Sequence, residues 1–269
     1  MKGKLFFGKL LAFILLSMPF YLSAQVTETR NVSGFSAIEA SSVFDITVNK
    51  SATESLVIEA DEKIMPYVRA EVKNGVLKLY LNKNRVSNIN TLKVTLGVKE
   101  LKEVKLSGAC KLRSNDVFNA PRFDMQLSGA CAVKLNIKTE KLKVEASGAC
   151  NLDLIVETRV AQFDASGASN FKMQLQAEKV AFNMSGSCKA EVKGIADEAD
   201  FGLSGACTIK TNDLICKTVS VRTSGSSNLT LNVSERLGVS SSGASVVTYK
   251  GRPVVNVNAS GSSKVKSID

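Results

Sequence analysis

The 269-residue sequence contains no histidine and no tryptophan, and aromatic residues make up only 6% of it. Without histidine, a Ser or Cys nucleophile lacks its usual general base, and the commonest protein metal ligand is missing. Few aromatic side chains are available for stacking on bases, which single-stranded nucleic-acid binding requires. These absences argue against a triad hydrolase, a histidine-ligated metal centre and a nucleic-acid-binding protein.

The chain also lacks a long run of charge of one sign. Its 35 Lys and Arg and 25 Asp and Glu give a formal net charge of +10, and the two signs are interspersed throughout. A mildly basic, mixed surface allows attraction to anionic glycans or to a phosphate-rich membrane surface. It does not favour nucleic acid.

The first 24 residues have the pattern of a secretory signal peptide. Three lysines within the first nine residues precede an apolar run over residues 10–20, and Leu22-Ser23-Ala24 forms a cleavage site. A retained membrane anchor is the alternative, but this run is shorter than the roughly 20 residues that a spanning helix needs. No Cys lies at the cleavage site to carry a lipid. We therefore expect an exported protein that is not membrane-embedded after cleavage.

A Ser-Gly-small-Cys/Ser motif recurs nine times from residue 107 onward, at intervals of 18 to 21 residues. Such a period is typical of solenoids and β-helices. Glycine at the second position fits a tight corner that needs φ > 0 and no Cβ. The nine corner glycines are Gly108, Gly129, Gly148, Gly167, Gly186, Gly205, Gly225, Gly243 and Gly261.

Apolar residues alternate strictly on both sides of each corner. Leu142, Val144 and Ala146 precede one corner, and the alternation resumes after it at Cys150 and Leu152. This period of two predicts strands, because a helix would need spacings of three and four. We therefore predict an all-β, single-stranded parallel β-helix with about 18–21 residues per coil, in which each strand pairs with its equivalents in the neighbouring coils.

The fourth residue of each motif occupies an inward slot that requires a small side chain. Six Cys in an exported protein would ordinarily suggest disulfides, but stacked Cβ atoms would stay about 4.8 Å apart where a disulfide prefers about 3.8 Å. We expect buried free thiols, with bonds such as Cys110 to Cys131 or Cys188 to Cys207 as the alternative. A line of thiols without His does not suit a tetrahedral metal site. The slot residues are Cys110, Cys131, Cys150, Ser169, Cys188, Cys207, Ser227, Ser245 and Ser263, while Cys216 lies outside the slot as a packing residue.

One outward position carries charges that alternate in sign from coil to coil. In a parallel stack these side chains would form a ladder with opposite charges about 4.8 Å apart. The predicted outward ladder consists of Lys134, Asp153, Lys172, Glu191 and Lys210.

Residues 25–100 are less regular than the nine-corner region, residues 101–269. Ser41-Ser42 and the apolar residues around it predict a degenerate coil in the same phase. Residues 61–68, around Pro66, predict a short helical turn, and Asn74-Gly75 predicts a hairpin because a type I′ turn needs φ > 0 at both central residues. We interpret this region as a β-rich opening section that is continuous with the solenoid and caps one end.

Two features invite a catalytic interpretation. The repeated Ser could be nucleophiles, but nine equivalent Ser at coil corners are better explained by hydrogen bonds to the corner backbone or to one another. Surface carboxylates, such as Asp124, Asp164 and Asp200 on the face opposite Asp153 and Glu191, could act on polysaccharides. They alternate with Lys, however, and no coil carries the long inserted loops that build a cleft. The sequence thus assigns no catalytic, cofactor or metal residue.

The sequence resembles the putative auto-transporter adhesin head domain family, often called the GIN domain. The resemblance rests on the opening residues 30–38, on the serial Ser-Gly-Ala corners, and on the closing residues 242–245 and 249–253. The sequence departs from the family in carrying Cys where members more often have Gly, Asp or Ser. The resemblance implies a right-handed parallel β-helix exported by a Gram-negative bacterium, in the periplasm or on the outer surface, and an adhesin role.

We therefore expect a non-enzymatic, cofactor-free rod that presents a polar surface to a glycan, an envelope component or another protein. The runner-up is a polysaccharide lyase or hydrolase built on a β-helix. A periplasmic scaffold without a ligand of its own is the third interpretation.

Overall fold

The computed structural model describes residues 25–83 and 88–268 of the chain. The predicted signal peptide, residues 1–24, lies outside the described residues. In the described part, no helix is long and apolar enough to cross a membrane. The architecture is a parallel β-solenoid, which confirms the predicted fold class.

Eighteen strands and one short 3₁₀ helix, Met65–Tyr67, make up the described structure. In chain order the strands are β1 Gln25–Arg30, β2 Ala37–Ser42, β3 Asp45–Lys50, β4 Ser55–Asp61, β5 Val68–Lys73, β6 Val76–Leu81, β7 Leu92–Val98, β8 Glu103–Gly108, β9 Lys111–Gly129, β10 Ala132–Gly148, β11 Asn151–Gly167, β12 Asn170–Gly186, β13 Lys189–Gly205, β14 Thr208–Gly225, β15 Asn228–Ser241, β16 Val246–Lys250, β17 Val254–Ala259 and β18 Lys264–Ser267.

Each long strand from β9 to β14 forms most of one coil. In β11 the buried side chains alternate up to Thr158, two consecutive outward residues make a bend at 159–160, and the alternation then continues to Ala165. The bend divides the coil into a first face, after the Cys/Ser slot, and a second face, before the Ser-Gly corner. Each coil pairs in parallel with the next, so that Ala132 aligns with Asn151 and Gly148 with Gly167.

Coils longer than 19 residues take up their extra residues on the first face. Between β9 and β10 the register shifts from Arg113–Lys134 to Val117–Asn136, and a similar shift separates β13 from β14 after Glu191. Beyond each shift the parallel pairing resumes as far as the glycine corner. The variable spacing of the motif therefore leaves the corners aligned.

The core is a continuous column of apolar side chains inside the coils. Phe163, Phe182 and Phe201 occupy equivalent positions in three successive coils, and their rings stack at centroid distances of 5.0 and 5.2 Å. All three are fully buried. Because parallel in-register stacking places identical side chains about 4.8 Å apart, the repeat itself brings these rings into offset contact.

The first described coil that follows this pattern is β2 and β3. Ser41 and Ser42 align with Ser107 and Gly108, so the degenerate coil predicted from the sequence is in phase with the regular ones. Ser42 adopts a φ of 100°, which a non-glycine residue seldom does. Strand β6 pairs with β2 and β7 with β3 on the other side, which adds one further layer.

Beyond that layer the strands run antiparallel. The predicted hairpin is confirmed: β5 and β6 pair antiparallel, with Asn74 at φ 54° and Gly75 at φ 75°. Strand β4 pairs antiparallel with β7, and β1 pairs antiparallel with β4. The predicted helical turn near Pro66 is also present, as the 3₁₀ helix. The N-terminal end is thus closed by antiparallel strands, and beyond the hairpin the sequence pattern did not indicate the reversal of direction at β1 and β4.

Candidate ligand-binding groove

The glycine corners form a single column along the rod. All nine predicted corner glycines have positive φ, between 70° for Gly261 and 102° for Gly148. A Cβ on Gly148 would lie 2.5 Å from the carbonyl oxygen of Gly129 in the coil before. The residue after each corner glycine donates its N–H to the preceding coil, as Ala149 does to Gly129 at 2.8 Å. Glycine is therefore required both for its φ and for the close approach of the backbone.

The Cys/Ser slot lies directly inside this corner. Eight of its nine members are at most 1% exposed, from Cys110 to Ser245, while Ser263 in the last coil is partly exposed. The Ser169 hydroxyl donates to the Gly148 carbonyl at 3.3 Å, and the Cys150 thiol makes the longer equivalent contact with Gly129 at 3.7 Å. Serine and cysteine thus donate to equivalent corner carbonyls in successive coils. All six Cys are free thiols in the structure.

Burial suppresses the reactivity of four of the six thiols. It raises the pKa of Cys110, and it raises that of Cys216 to about 12. A hydrogen bond with the thiol of the next coil, together with burial, raises the pKa of Cys131 and Cys188. Because the thiolate is the nucleophile and the metal ligand, these four groups are suited to packing. The same thiol–thiol hydrogen bonds lower the pKa of the partner thiols Cys150 and Cys207.

The structure aligns the five charged residues of the outward ladder on the first face. Lys134 pairs in register with Asp153, Asp153 with Lys172, and Lys172 with Glu191, which pairs with Lys210. Lys134 Nζ lies 3.9 Å from Asp153 Oδ2, the one ion pair within 4 Å among these five described residues. The side chains therefore share one row, with weak and solvent-screened attraction between neighbours.

The second face carries an open groove of about 550 Å³ along the rod, beside the corners. One side of it is a row of corner serines. The other is a row of polar side chains that lie two residues before each serine. The serines are Ser107, Ser128, Ser147 and Ser166, and the facing row is Glu39, Lys105, Gln126, Glu145, Asp164 and Asn183. We call this surface the serine groove.

Most groove serines present their hydroxyl to solvent. Ser128, Ser147 and Ser166 are exposed. Among all described corner serines, the hydroxyls that bond to the backbone of the coil before are those of Ser185 and Ser242, each at 3.5 Å. The expected hydrogen bond from a corner serine to the backbone is thus made by these two residues, whereas the hydroxyls of the groove serines are available to a ligand.

Neighbouring side chains fix the groove carboxylates. Asp164 accepts hydrogen bonds from Gln162 Nε2 at 2.7 Å and from Asn183 Nδ2 at 2.8 Å. Glu145 pairs with Lys143 at 2.5 Å, and this contact raises the pKa of the Lys143 ammonium. The carboxylates are thereby oriented at fixed positions on a rigid sheet, which suits hydrogen bonding to a ligand.

The sequence pointed to only part of this groove. It marked Asp164 as a surface carboxylate and the serines as corners, but it did not group them with Gln126, Glu145 and Asn183. The sequence did contain a positional signal for the groove, because the four polar residues of its wall each lie two residues before a corner serine. Over the described residues, no cluster of three or more His, Cys, Asp or Glu is arranged to hold a metal ion.

Comparison with known proteins agrees with this architecture. A family model described as "Putative auto-transporter adhesin, head GIN domain" matches residues 34–174 and 155–253. None of the curated proteins matches the chain.

Three solved structures from Parabacteroides resemble the chain. A putative adhesin of Parabacteroides merdae ATCC 43184 is 23% identical, with a TM-score of 0.70 over 91% of this chain and 96% of its own. A putative adhesin of Parabacteroides distasonis ATCC 8503 is 21% identical, with a TM-score of 0.72 over 91% and 98%. A putative lipid binding protein of the same organism is 19% identical, with a TM-score of 0.67 over 91% and 97%. At these identities the likeness shows the fold alone.

Proposed function

Because the chain belongs to the putative auto-transporter adhesin head GIN domain family, we propose that it is a non-catalytic binding module that holds a polysaccharide chain along its serine groove. The family match covers most of the chain, and solved structures with the same fold are named putative adhesins. An adhesin-like module acts outside the cytoplasm, so the proposal includes export and association with the bacterial envelope.

The observation that carries this proposal is the chemistry of the serine groove. Hydroxyls that can both donate and accept alternate with fixed carboxylate and amide groups, and the set repeats at about 4.8 Å along the rod. A polysaccharide is a linear polymer of hydroxyl groups, so a repeating row of small donors and acceptors suits its repeating structure. Many weak contacts along one chain would give avidity without a deep pocket.

The same geometry makes catalysis the weaker candidate. The Asp164 carboxylate is engaged by two amides, and Glu145 is paired with a lysine, so both are held as hydrogen-bond acceptors. A glycosidase needs one carboxyl group that stays protonated to donate to the leaving oxygen. The polysaccharide-degrading enzyme remains the runner-up, and the same experiment tests it.

The test measures the affinity of the purified mature protein for a panel of envelope and host polysaccharides, by retention on immobilised glycan and by calorimetry. The double variant Glu145→Ala/Asp164→Ala should bind about 100-fold or more weakly, because each of the two lost charged hydrogen bonds contributes about 1.5–3 kcal/mol. The matched control is Asp153→Ala/Glu191→Ala. It makes the same change of charge on the first face and should bind as the wild type does.

Three outcomes would contradict the proposal. Retention of the same polysaccharide by both double variants would place the ligand elsewhere on the rod. New reducing or unsaturated ends in the incubated polysaccharide would establish the enzyme instead. Binding to anionic lipid vesicles with none to any polysaccharide would favour the activity in the name of the Parabacteroides distasonis lipid binding protein.

A further inference from the structure

The last coil leaves the apolar column open to solvent. Val255 and Val257 on β17 are 37% and 44% exposed, whereas their partners in the coil before, Leu237 and Val239, are 1% and 4% exposed. Val265 on β18 is partly exposed above the fully buried Val247. These inward positions are covered by a following coil elsewhere in the stack, and no described residue covers them here.

Strand β17, one of the two edge strands of this end, lacks the charged side chains that usually protect a sheet edge. Strand β17 reads Val-Val-Asn-Val-Asn-Ala and contains no charged residue. Among the described strands it pairs with β15 alone, so its other side offers backbone N–H and C=O groups to a further strand. A neutral, apolar edge strand is a template for the addition of another strand.

The opposite end of the rod is built differently. The inward-facing positions of its outermost strand β1 include Glu28 and Arg30, which form an ion pair at 2.8 Å. Arg30 also donates to the Val68 carbonyl at 2.9 Å, across the end of the core. Inward-pointing charges block strand addition, and stacking an apolar coil on them would strip water from the ion pair. The two ends are therefore not complementary, and head-to-tail stacking is disfavoured.

We propose that the C-terminal coil is a self-association surface on which a second copy of this chain docks tail to tail. A two-fold axis normal to the sheets would pair β17 antiparallel with β17 of the second copy. With the axis at Val257, odd-numbered residues face odd-numbered residues, so the inward valines of the two copies meet. The apolar columns of both rods then join into one closed dimer.

The charges on β18 set the sign of the salt dependence. The same axis brings Lys264 of one copy near Lys266 of the other, and both side chains point outward. Like charges opposite each other on a sheet are destabilising, and salt screens the repulsion. The dimer should therefore strengthen as salt is added, unlike an association driven by ion pairs.

The size of the surface sets the affinity. Strands β17 and β18 supply ten residues per copy, six and four respectively. Stable complexes use about 20–30 residues a side. We therefore expect a dissociation constant of about 10 µM to 1 mM.

Sedimentation velocity of the mature chain, from about 10 µM to 1 mM and at about 50 and 500 mM NaCl, tests this proposal. The wild type should pass from monomer to dimer with concentration, at lower concentration in high salt, and small-angle scattering should give a particle about twice as long. Val257→Lys should stay monomeric. The control Ile195→Lys changes a side chain that is 59% exposed on the first face, and it should dimerise like the wild type.

Since Val257→Lys could also weaken the last coil itself, Val257→Cys provides a second test. Under mild oxidation it should form a covalent dimer, because residue 257 lies on the two-fold axis, while Ile195→Cys should not. The proposal is overturned if the wild type stays monomeric throughout, if filaments form instead of dimers, if Ile195→Lys rather than Val257→Lys abolishes association, or if Val257→Cys fails to cross-link.

Discussion

At the scale of single residues, the corner glycines carry the tightest constraint in the molecule. The clash that a Cβ on Gly148 would make recurs along the column, and each of these glycines also has positive φ. Two independent costs therefore oppose any side chain at a corner: an unfavourable φ and the displacement of a backbone carbonyl that accepts a hydrogen bond from the next coil.

Replacement of Gly148 by Ala tests this constraint. We expect a loss of stability of about 2–4 kcal/mol, since the new Cβ would lie 2.5 Å from the Gly129 oxygen at a φ of 102°. The control is Gly238→Ala, because a Cβ there meets nothing within 4 Å. It should be neutral or stabilising by less than about 1 kcal/mol. Equal denaturant midpoints for the two variants would contradict the role of the column.

Cys216 gives a pH dependence whose sign follows from burial. Its folded pKa of about 12 exceeds the value of about 8.5 for an unfolded thiol. Its contribution to stability is therefore complete below pH 8.5 and is lost as the pH rises towards 12. The loss of stability amounts to about 2 kcal/mol at pH 10. Cys216→Val removes this titration and suits the column, because Val233 occupies the equivalent position in the next coil.

The measurement is the melting temperature of wild type and Cys216→Val at pH 7.5 and pH 10. The wild type should lose about 4–8 °C more than the variant over this interval. Exposed lysines titrate equally in both proteins and cancel in the comparison. Parallel losses in the two proteins would show that the thiol stays protonated in the unfolded chain or is accessible in the folded one.

At the scale of strands, the first-face ladder links the sequence pattern to the parallel register. Lys172 lies between Asp153 and Glu191 in adjacent coils. Antiparallel or shifted pairing would separate these three side chains, so the ladder is a direct measure of register.

Lys172→Asp would place three carboxylates in one row. We expect the melting temperature at low salt to fall by about 1–4 °C, because attraction to two neighbours becomes repulsion from both. The control Lys172→Thr, which copies Thr230 in the same row, should fall by less. Addition of about 0.5 M NaCl should remove most of the difference between the variants. A Lys172→Asp melting temperature that is unchanged at low salt would contradict the stacked register.

At the scale of the whole molecule, stacking creates surfaces that no single coil has. The serine groove exists only because four coils place their serines and polar side chains in line. The apolar column is likewise collective, since each coil buries the one before it. This dependence on neighbours makes the two ends distinct from the middle: the N-terminal end is closed by antiparallel strands, and the C-terminal end exposes Val255 and Val257.

The sequence by itself determined the repeating part of this protein. A strict alternation between corners spaced by 18 to 21 residues predicts a parallel stack of coils, in which Gly148 stacks on Gly129 and Phe182 on Phe163. The Asn74-Gly75 hairpin was equally predictable, because its turn chemistry is local.

Only the tertiary structure decided the rest. Alternation fixes which side of a strand faces the core but not its direction, so the antiparallel closure by β1 and β4 could not be inferred. The groove wall mixes Gln126, Glu145, Asp164 and Asn183, whose types differ and whose common position becomes meaningful only when the coils are stacked. The inward valines of the last coil are exposed because no described residue covers them. Their exposure is therefore a property of the assembled rod and not of their own sequence pattern.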